Sequence, residues 1–210
     1  MTLPAFLVNA IATRELSTVR QQLLALFIDL AYKEGDFVLS SGQTSPYYIN
    51  GKLVSLTAEG ALFLGRLLFD RLPPGTQAVA GLTLGADPLV TAVSVVSAYQ
   101  NRPIPALIVR KEAKGHGTQA FVEGPALPVG AKIVVLEDVV TTGRSALQAV
   151  DRLQAVGYQV DRIIAVVDRL QGGEQFYQDQ GIPFQSLFTI TEIQRAYQQK
   201  QAQINPSQSI

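Results

Sequence analysis

Ile133-Val134-Val135-Leu136-Glu137-Asp138-Val139-Val140-Thr141-Thr142-Gly143-Arg144-Ser145 reads as an apolar strand over 132–136, two adjacent acids, a small hydroxyl-rich turn, and the start of a helix over 144–156. A short apolar run of this kind fits a strand buried on both faces, the strand type of a helix-covered parallel sheet. Ligands of such sheets bind beyond the carboxyl ends of the strands. Backbone N–H groups at the helix start can hold a phosphate, Thr and Ser hydroxyls add donors, and Gly143 permits close approach. Val139, Val140, Thr141, Thr142, Gly143, Arg144 and Ser145 are therefore candidates for a phosphate loop, with Glu137 and Asp138 turned toward a sugar. In the plainer alternative the acids solvate the strand end and Thr141 caps the helix. The Gly-x4-Gly-Lys-Ser/Thr spacing of a P-loop is absent.

Outward from this segment, helical and strand patterns alternate. Helices are expected over 57–72 and 87–100, and strands over 77–82, 104–110 and 159–167, with further C-terminal elements. This alternation predicts an α/β fold with a mainly parallel central sheet flanked by helices. Upstream, Val19, Leu23, Leu24, Leu26, Phe27 and Leu30 repeat at helical spacing, predicting a helix over 17–34 stopped by Gly35. Short strands over 37–39 and 47–49 flank a polar turn over 40–46, which together suggest a small N-terminal hood. Residues 111–130 are rich in Gly and charge and long for an inert connection, so they read as a mobile loop. The expected organisation is one domain over 1–210, with helix and hood over about 1–56, core over 57–198 and a frayed polar tail over 199–210.

Composition narrows the chemistry. The chain has 210 residues, 17 basic and 17 acidic side chains and zero net charge, which removes bulk attraction for nucleic acid or an acidic membrane. With no Cys and one His, it supplies no disulfide, thiol nucleophile or ordinary zinc shell. No apolar run reaches membrane-span length and the start lacks a secretory pattern, so a cytoplasmic location is expected, with neither nucleic acid nor membrane as partner.

Three further clusters carry chemistry. Arg110, Lys111, Lys114 and His116 gather four potential cations around a glycine-containing loop, suited to an anion, although most such clusters are solvated surface. Gly81-Leu82-Thr83-Leu84-Gly85-Ala86-Asp87-Pro88 is a second strand-to-helix turn, with Asp87 as a helix cap and Pro88 at the first helical position; capping alone could account for it. Arg169 follows an apolar strand, where its planar guanidinium can clamp a carboxylate or a pyrimidine edge, or form an ordinary surface pair with Asp168.

The acid-plus-threonine segment resembles the phosphoribosyl diphosphate (PRPP) signature of the type I phosphoribosyltransferases. Arg110-Lys111-Glu112-Ala113-Lys114-Gly115-His116-Gly117, Ser41-Gly42 with Ser45-Pro46-Tyr47-Tyr48, and Gly181-Ile182-Pro183-Phe184 with Ser186-Leu187-Phe188 are similar to orotate phosphoribosyltransferases, over roughly residues 15–197. The resemblance implies the type I phosphoribosyltransferase fold and transfer of ribose 5-phosphate from PRPP to orotate, giving orotidine 5′-phosphate and diphosphate. It implies Asp138, Lys114 and His116 as catalytic, and PRPP contacts from Arg110, Lys111, Lys114, His116 and the segment Glu137 to Ser145. Orotate would be held by Thr141, Arg169, Tyr48 and Ile49. Mg²⁺ would be carried mainly by substrate and water, and a homodimer would share its active sites through the basic loop. Many members also carry a non-proline cis peptide in the diphosphate turn, here near Thr83-Leu84. Two family lysines are missing, at Ser40 and Gly85. Lys52 is the nearest spare cation, or else an ordinary solvated lysine. The alternatives are a phosphoribosyltransferase for another base, and a PRPP-sensing regulator that binds nucleic acid.

Overall fold

The computed structural model describes residues 14–38, 42, 44–113 and 121–204. Six strands form the main sheet, in the order β5-β4-β3-β6-β7-β8: β3 (Ala78–Leu82), β4 (Ala106–Val109), β5 (Val122–Glu123), β6 (Lys132–Val140), β7 (Gln159–Asp168) and β8 (Phe184–Thr189). All neighbours are parallel except the short edge strand β5, which runs antiparallel to β4. Strand alternation divides β6 between two apolar layers. Val134 and Leu136 pack with Leu23, Leu64, Leu68 and Phe188 on one face, while Ile133 and Val135 pack with Ala149, Leu153 and Tyr177 on the other.

The first layer holds α1 (Leu16–Leu26), α3 (Ala58–Asp70), α4 (Asp87–Tyr99) and α7 (Ile190–Ile204); the second holds α5 (Arg144–Ala155) and α6 (Gly173–Asp179). The N-terminal hairpin pairs β1 (Tyr32–Val38) with β2 (Thr44–Ile49), and the one-turn α2 (Lys52–Ser55) returns the chain to the core.

Several expected boundaries move. The first helix does not reach residue 34: it passes through a π-turn, Phe27–Ala31, and Tyr32 already begins β1. Tyr32 is buried, stacked on Tyr47 at 6.0 Å and edge-on to Tyr197 at 5.1 Å, and these ring contacts outweigh continued helix. Gly35 is not a helix stop; it lies with φ of 147° where the β1–β2 register shifts between Glu34 and Phe37. Strand β6 runs four residues beyond the expected end and carries both acids in the ladder. Within 111–130, β5 pairs with β4, so that segment is not one continuous loop. At the C-terminus α7 continues through the expected polar tail to Ile204. Of the expected turn over 40–46, residues 40, 41 and 43 lie outside the described residues, and Thr44, Ser45 and Pro46 belong to β2, which starts before the expected residue 47.

Candidate active site

The carboxyl ends of β3, β6 and β7 meet at one edge of the sheet, and the turn after β6 is the most closely built part of it. The Arg169 N–H donates to the Val140 carbonyl at 2.9 Å, extending the ladder between β6 and β7 to the start of the turn. Gly143 has φ of 85°, and a Cβ there would stand 2.9 Å from the rings of Phe176 and Tyr177, so glycine is required on both conformational and packing grounds. Gly143 caps α5 without a side-chain cap, which leaves the first-turn N–H groups open to an anion and gives Thr141 no capping role. A small cavity of about 70 Å³ is lined by Glu137, the 139–146 segment and Tyr177.

Adjacent ladder positions give Glu137 and Asp138 opposite sides of β6, while Asp138 stays close enough to act on Glu137 through its charge and a side-chain hydrogen bond. Glu137 enters the small cavity. Burial, reinforced by the charge of Asp138, holds its pKa well above the usual carboxylate range, and Oε2 has no hydrogen-bond partner. Tyr177 beside it is fully buried with its hydroxyl unpartnered, and burial together with Glu137 and Asp168 raises that phenol strongly. In the sequence Tyr177 has only the signature of an apolar helix face.

Asp138 faces the other way. Its Oδ1 accepts the Val139 N–H at 2.9 Å and its Oδ2 lies 3.6 Å from Lys52 Nζ. A Cβ on Gly85 would fall 2.5 Å from Asp138 Oδ1, so the bare glycine is what admits the carboxylate. The 81–88 turn holds the Thr83-Leu84 peptide in the cis form. Asp87 does not cap α4 from outside: it is the first helical residue, and its Oδ2 accepts the Thr83 hydroxyl at 2.7 Å.

Arg110 and Lys111 border a cavity of about 410 Å³ shared with Thr83, Ile108, Glu112 and Glu123. Arg110 is not without a partner near its own strand, since Nη1 lies 3.4 Å from Glu123 Oε1. Its N–H donates to the Phe121 carbonyl at 2.8 Å, closing a stem under the basic segment. The Arg152 guanidinium donates to the Arg110 and Lys111 carbonyls and lies 4.3 Å over the Phe121 ring. Lys114 and His116 lie outside the described residues, as does Ser40.

Arg169 donates Nε to the Tyr47 hydroxyl at 3.1 Å, while its buried Nη2 has no partner. Asp168 does not form the alternative surface pair; it is buried and its Oδ1 accepts the Leu170 N–H at 2.8 Å. Alternation along β2 turns Tyr47 inward to Arg169 and leaves Tyr48 half-exposed against Phe37, with Ile49 at intermediate burial. Period-two spacing held this distinction in principle, but its parity needed the hairpin register.

Beside the Lys52–Asp138 pair, an apolar groove of about 890 Å³ runs between α3 and α4. Leu56, Leu84, Val95 and Tyr99 line it and are each more than half exposed.

No family model matches the chain. It is 68% identical to an orotate phosphoribosyltransferase of Nostoc sp., over 90% of this chain and 91% of that one. It is 65% identical to an orotate phosphoribosyltransferase of Synechocystis sp., over 91% of this chain and 96% of that one. Among solved structures, Mycobacterium tuberculosis orotate phosphoribosyltransferase in complex with PRPP superposes with a TM-score of 0.69 at 32% identity, covering 83% of this chain and 98% of that one.

Proposed function

From the premise that the chain belongs to the orotate phosphoribosyltransferase family, we propose how its own residues divide the work of that reaction. The enzyme is a pentosyltransferase that moves the ribose 5-phosphate group of PRPP to orotate, a step of pyrimidine biosynthesis. The C1–O bond breaks with its electron pair leaving on diphosphate, and the orotate ring nitrogen forms the new bond to C1. Positive charge develops on the ribosyl group while negative charge grows on the leaving group, so both need stabilising.

The open N–H groups of α5 and the hydroxyls of Thr141, Thr142 and Ser145 would hold the 5-phosphate, with Gly143 and Arg144 completing the cradle. Asp138, the more open of the two acids, would face the ribosyl group and favour its developing charge. Glu137, whose carboxyl burial holds above the usual range, would line the phosphate side of the site. Arg110, Lys111, Lys114 and His116 would meet the diphosphate and exclude water. Arg169, oriented by Tyr47, would present its unpartnered Nη2 to the orotate carboxylate, alongside Thr141 and the Tyr48–Ile49 backbone.

Oxygen ligands from substrate and water suit Mg²⁺, and a single open carboxylate at the strand end suffices beside them. Asp138 is the open carboxylate that would face the ion's water shell. Bound there, the ion would supply neutralising charge to the diphosphate.

A second copy of the chain would cover the exposed apolar groove beside this edge, and its basic segment would then reach the site of the first. No helix among the described residues is long and apolar enough to cross a membrane. We place the enzyme in the cytoplasm with its phosphorylated substrate, PRPP.

The observation that carries the site assignment is the unpartnered buried Nη2 of Arg169, one residue past the strand that pairs with the acid-bearing β6. Loss of orotate absorbance with PRPP and Mg²⁺, matched by diphosphate release, tests the activity. Arg169→Ala is expected to raise the orotate KM at least about tenfold while leaving the PRPP KM nearly unchanged. Normal orotate use by that variant would remove Arg169 from the base site.

A further inference from the structure

The corner between the 81–88 turn and the end of β6 already carries two acids. Asp138 stands at the strand end, and Asp87 opens α4 with Oδ1 buried and unpartnered. A diphosphate arriving there adds several negative charges, and Arg110 is already drawn toward Glu123. Lys52 is the cation within ion-pair distance of Asp138, and its side chain lines the same groove as Leu84 and Asp87.

Three features make Lys52 more than a solvated lysine. Its ammonium is 3.6 Å from Asp138 Oδ2, close enough for attraction but too far for a good hydrogen bond, so no directional contact locks it. Its side chain is 39% exposed against 14% for Asp138, leaving the head group free to turn while the carboxylate is held. Its backbone is anchored: the Lys52 N–H donates to Asn50 Oδ1 at 3.2 Å, and a Cβ on the preceding Gly51 would sit 3.6 Å from Asp138 Cβ. The stem is therefore fixed beside the strand end and only the four-carbon arm moves.

We propose that Lys52 is a diphosphate-binding residue, parked on Asp138 in the empty site and transferred to the leaving group when PRPP binds. The transfer leaves the Asp138 carboxylate unpaired before the C1–O bond breaks, ready for the charge that then develops on the ribosyl group beside it. Gly85 belongs to the same device, because a side chain there would displace the carboxylate from the position in which Lys52 reaches it. This proposal rests on the placement of the diphosphate between the 81–88 turn and the Arg110 stem.

The test uses the full chain with Lys52→Met, which keeps the apolar stem and removes the charge, and Lys52→Arg, which keeps the charge. Calorimetric titration with diphosphate plus Mg²⁺, and separately with ribose 5-phosphate, splits the two halves of the substrate. Diphosphate is expected to bind the Met variant at least about tenfold more weakly, as for loss of one charge-assisted contact. Ribose 5-phosphate should bind within about twofold of the wild type, and the Arg variant should recover most of the diphosphate affinity. Unchanged diphosphate affinity in Lys52→Met, with the wild type binding normally, overturns the role of Lys52 alone. Equal weakening of both ligands also overturns it, by showing general disruption of the site. A wild type that turns over PRPP but binds no diphosphate at this corner, judged by protection of Lys52 from acylation, overturns the diphosphate placement together with the proposal.

Discussion

Arg152→Met should loosen the basic segment without unfolding the protein. Arg152 donates to the carbonyls of Arg110 and Lys111 and covers the Phe121 ring at 4.3 Å, so one side chain grips both sides of the stem. Discounted for solvent exposure, the two charge-assisted hydrogen bonds contribute about 1 kcal/mol together and the cation–π contact about 0.5–1 kcal/mol more. Methionine keeps the apolar stem, so the net loss is about 2 kcal/mol of local stability, or roughly thirtyfold in the open population of the stem. The Arg110 amide, bonded to the Phe121 carbonyl at 2.8 Å, is the reporter. Native-state hydrogen exchange should show it opening about thirtyfold faster while amides of β6 stay unchanged, and the PRPP KM should rise in parallel. A higher KM with unchanged Arg110 exchange would mean that Arg152 meets the substrate itself. If neither changes, the β4–β5 pairing alone holds the stem and the reasoning fails.

Asp138→Asn is predicted to lower kcat by about 100-fold or more, as for other removed electrostatic stabilisers, and to lower PRPP affinity far less; equal losses would make Asp138 a ground-state ligand only. Glu137→Gln should flatten the pH dependence of stability. The raised pKa of Glu137 means its contribution is present below the unfolded carboxyl range and is lost as pH rises from there through the folded value, so the variant should gain stability over wild type at neutral pH in thermal melts, and identical melts across that window would contradict the assignment. Val95→Asp places a charge in the exposed groove and should yield a monomer by sedimentation with reduced activity; a dimer of unchanged mass would locate the interface elsewhere. Mixed Lys114→Ala and Asp138→Asn chains should recover part of the activity through one intact shared site, whereas heterodimers without recovery would show that the basic segment serves its own subunit.

Local patterns were enough for the sheet, most helices and the turn after β6, because buried strands and helix starts are written in residues a few positions apart. Side-chain direction was harder. Glu137 and Asp138 look like one acidic strand end until Val139 and Val140 are seen to pair with Val167 and Asp168, which keeps the ladder going and turns the acids apart. The surroundings of Arg169 show the same dependence. Tyr47 rather than Tyr48 reaches Arg169 because the π-turn and the shift between Glu34 and Phe37 set the hairpin register, and those arise from ring packing with Tyr197, distant in sequence. Tyr177 under Gly143 and Arg152 over the stem are tertiary contacts with no local signature. The cis peptide at Thr83-Leu84 was expected from family resemblance alone.

The closed stem between Arg110 and Phe121 also acts as a ruler. Ten residues, 111–120, lie between those two anchors. A tethered loop of that contour cannot carry its backbone farther than roughly 18 Å from its base, and Lys114, four positions along, cannot pass roughly 14 Å. If the segment serves a second copy, as proposed, that arrangement must bring the partner's Asp138 within that radius plus the length of one lysine side chain. Each residue deleted from the segment shortens the radius by roughly 2 Å, so a deletion series with activity as readout would measure the gap between stem and served site in steps finer than one helical turn.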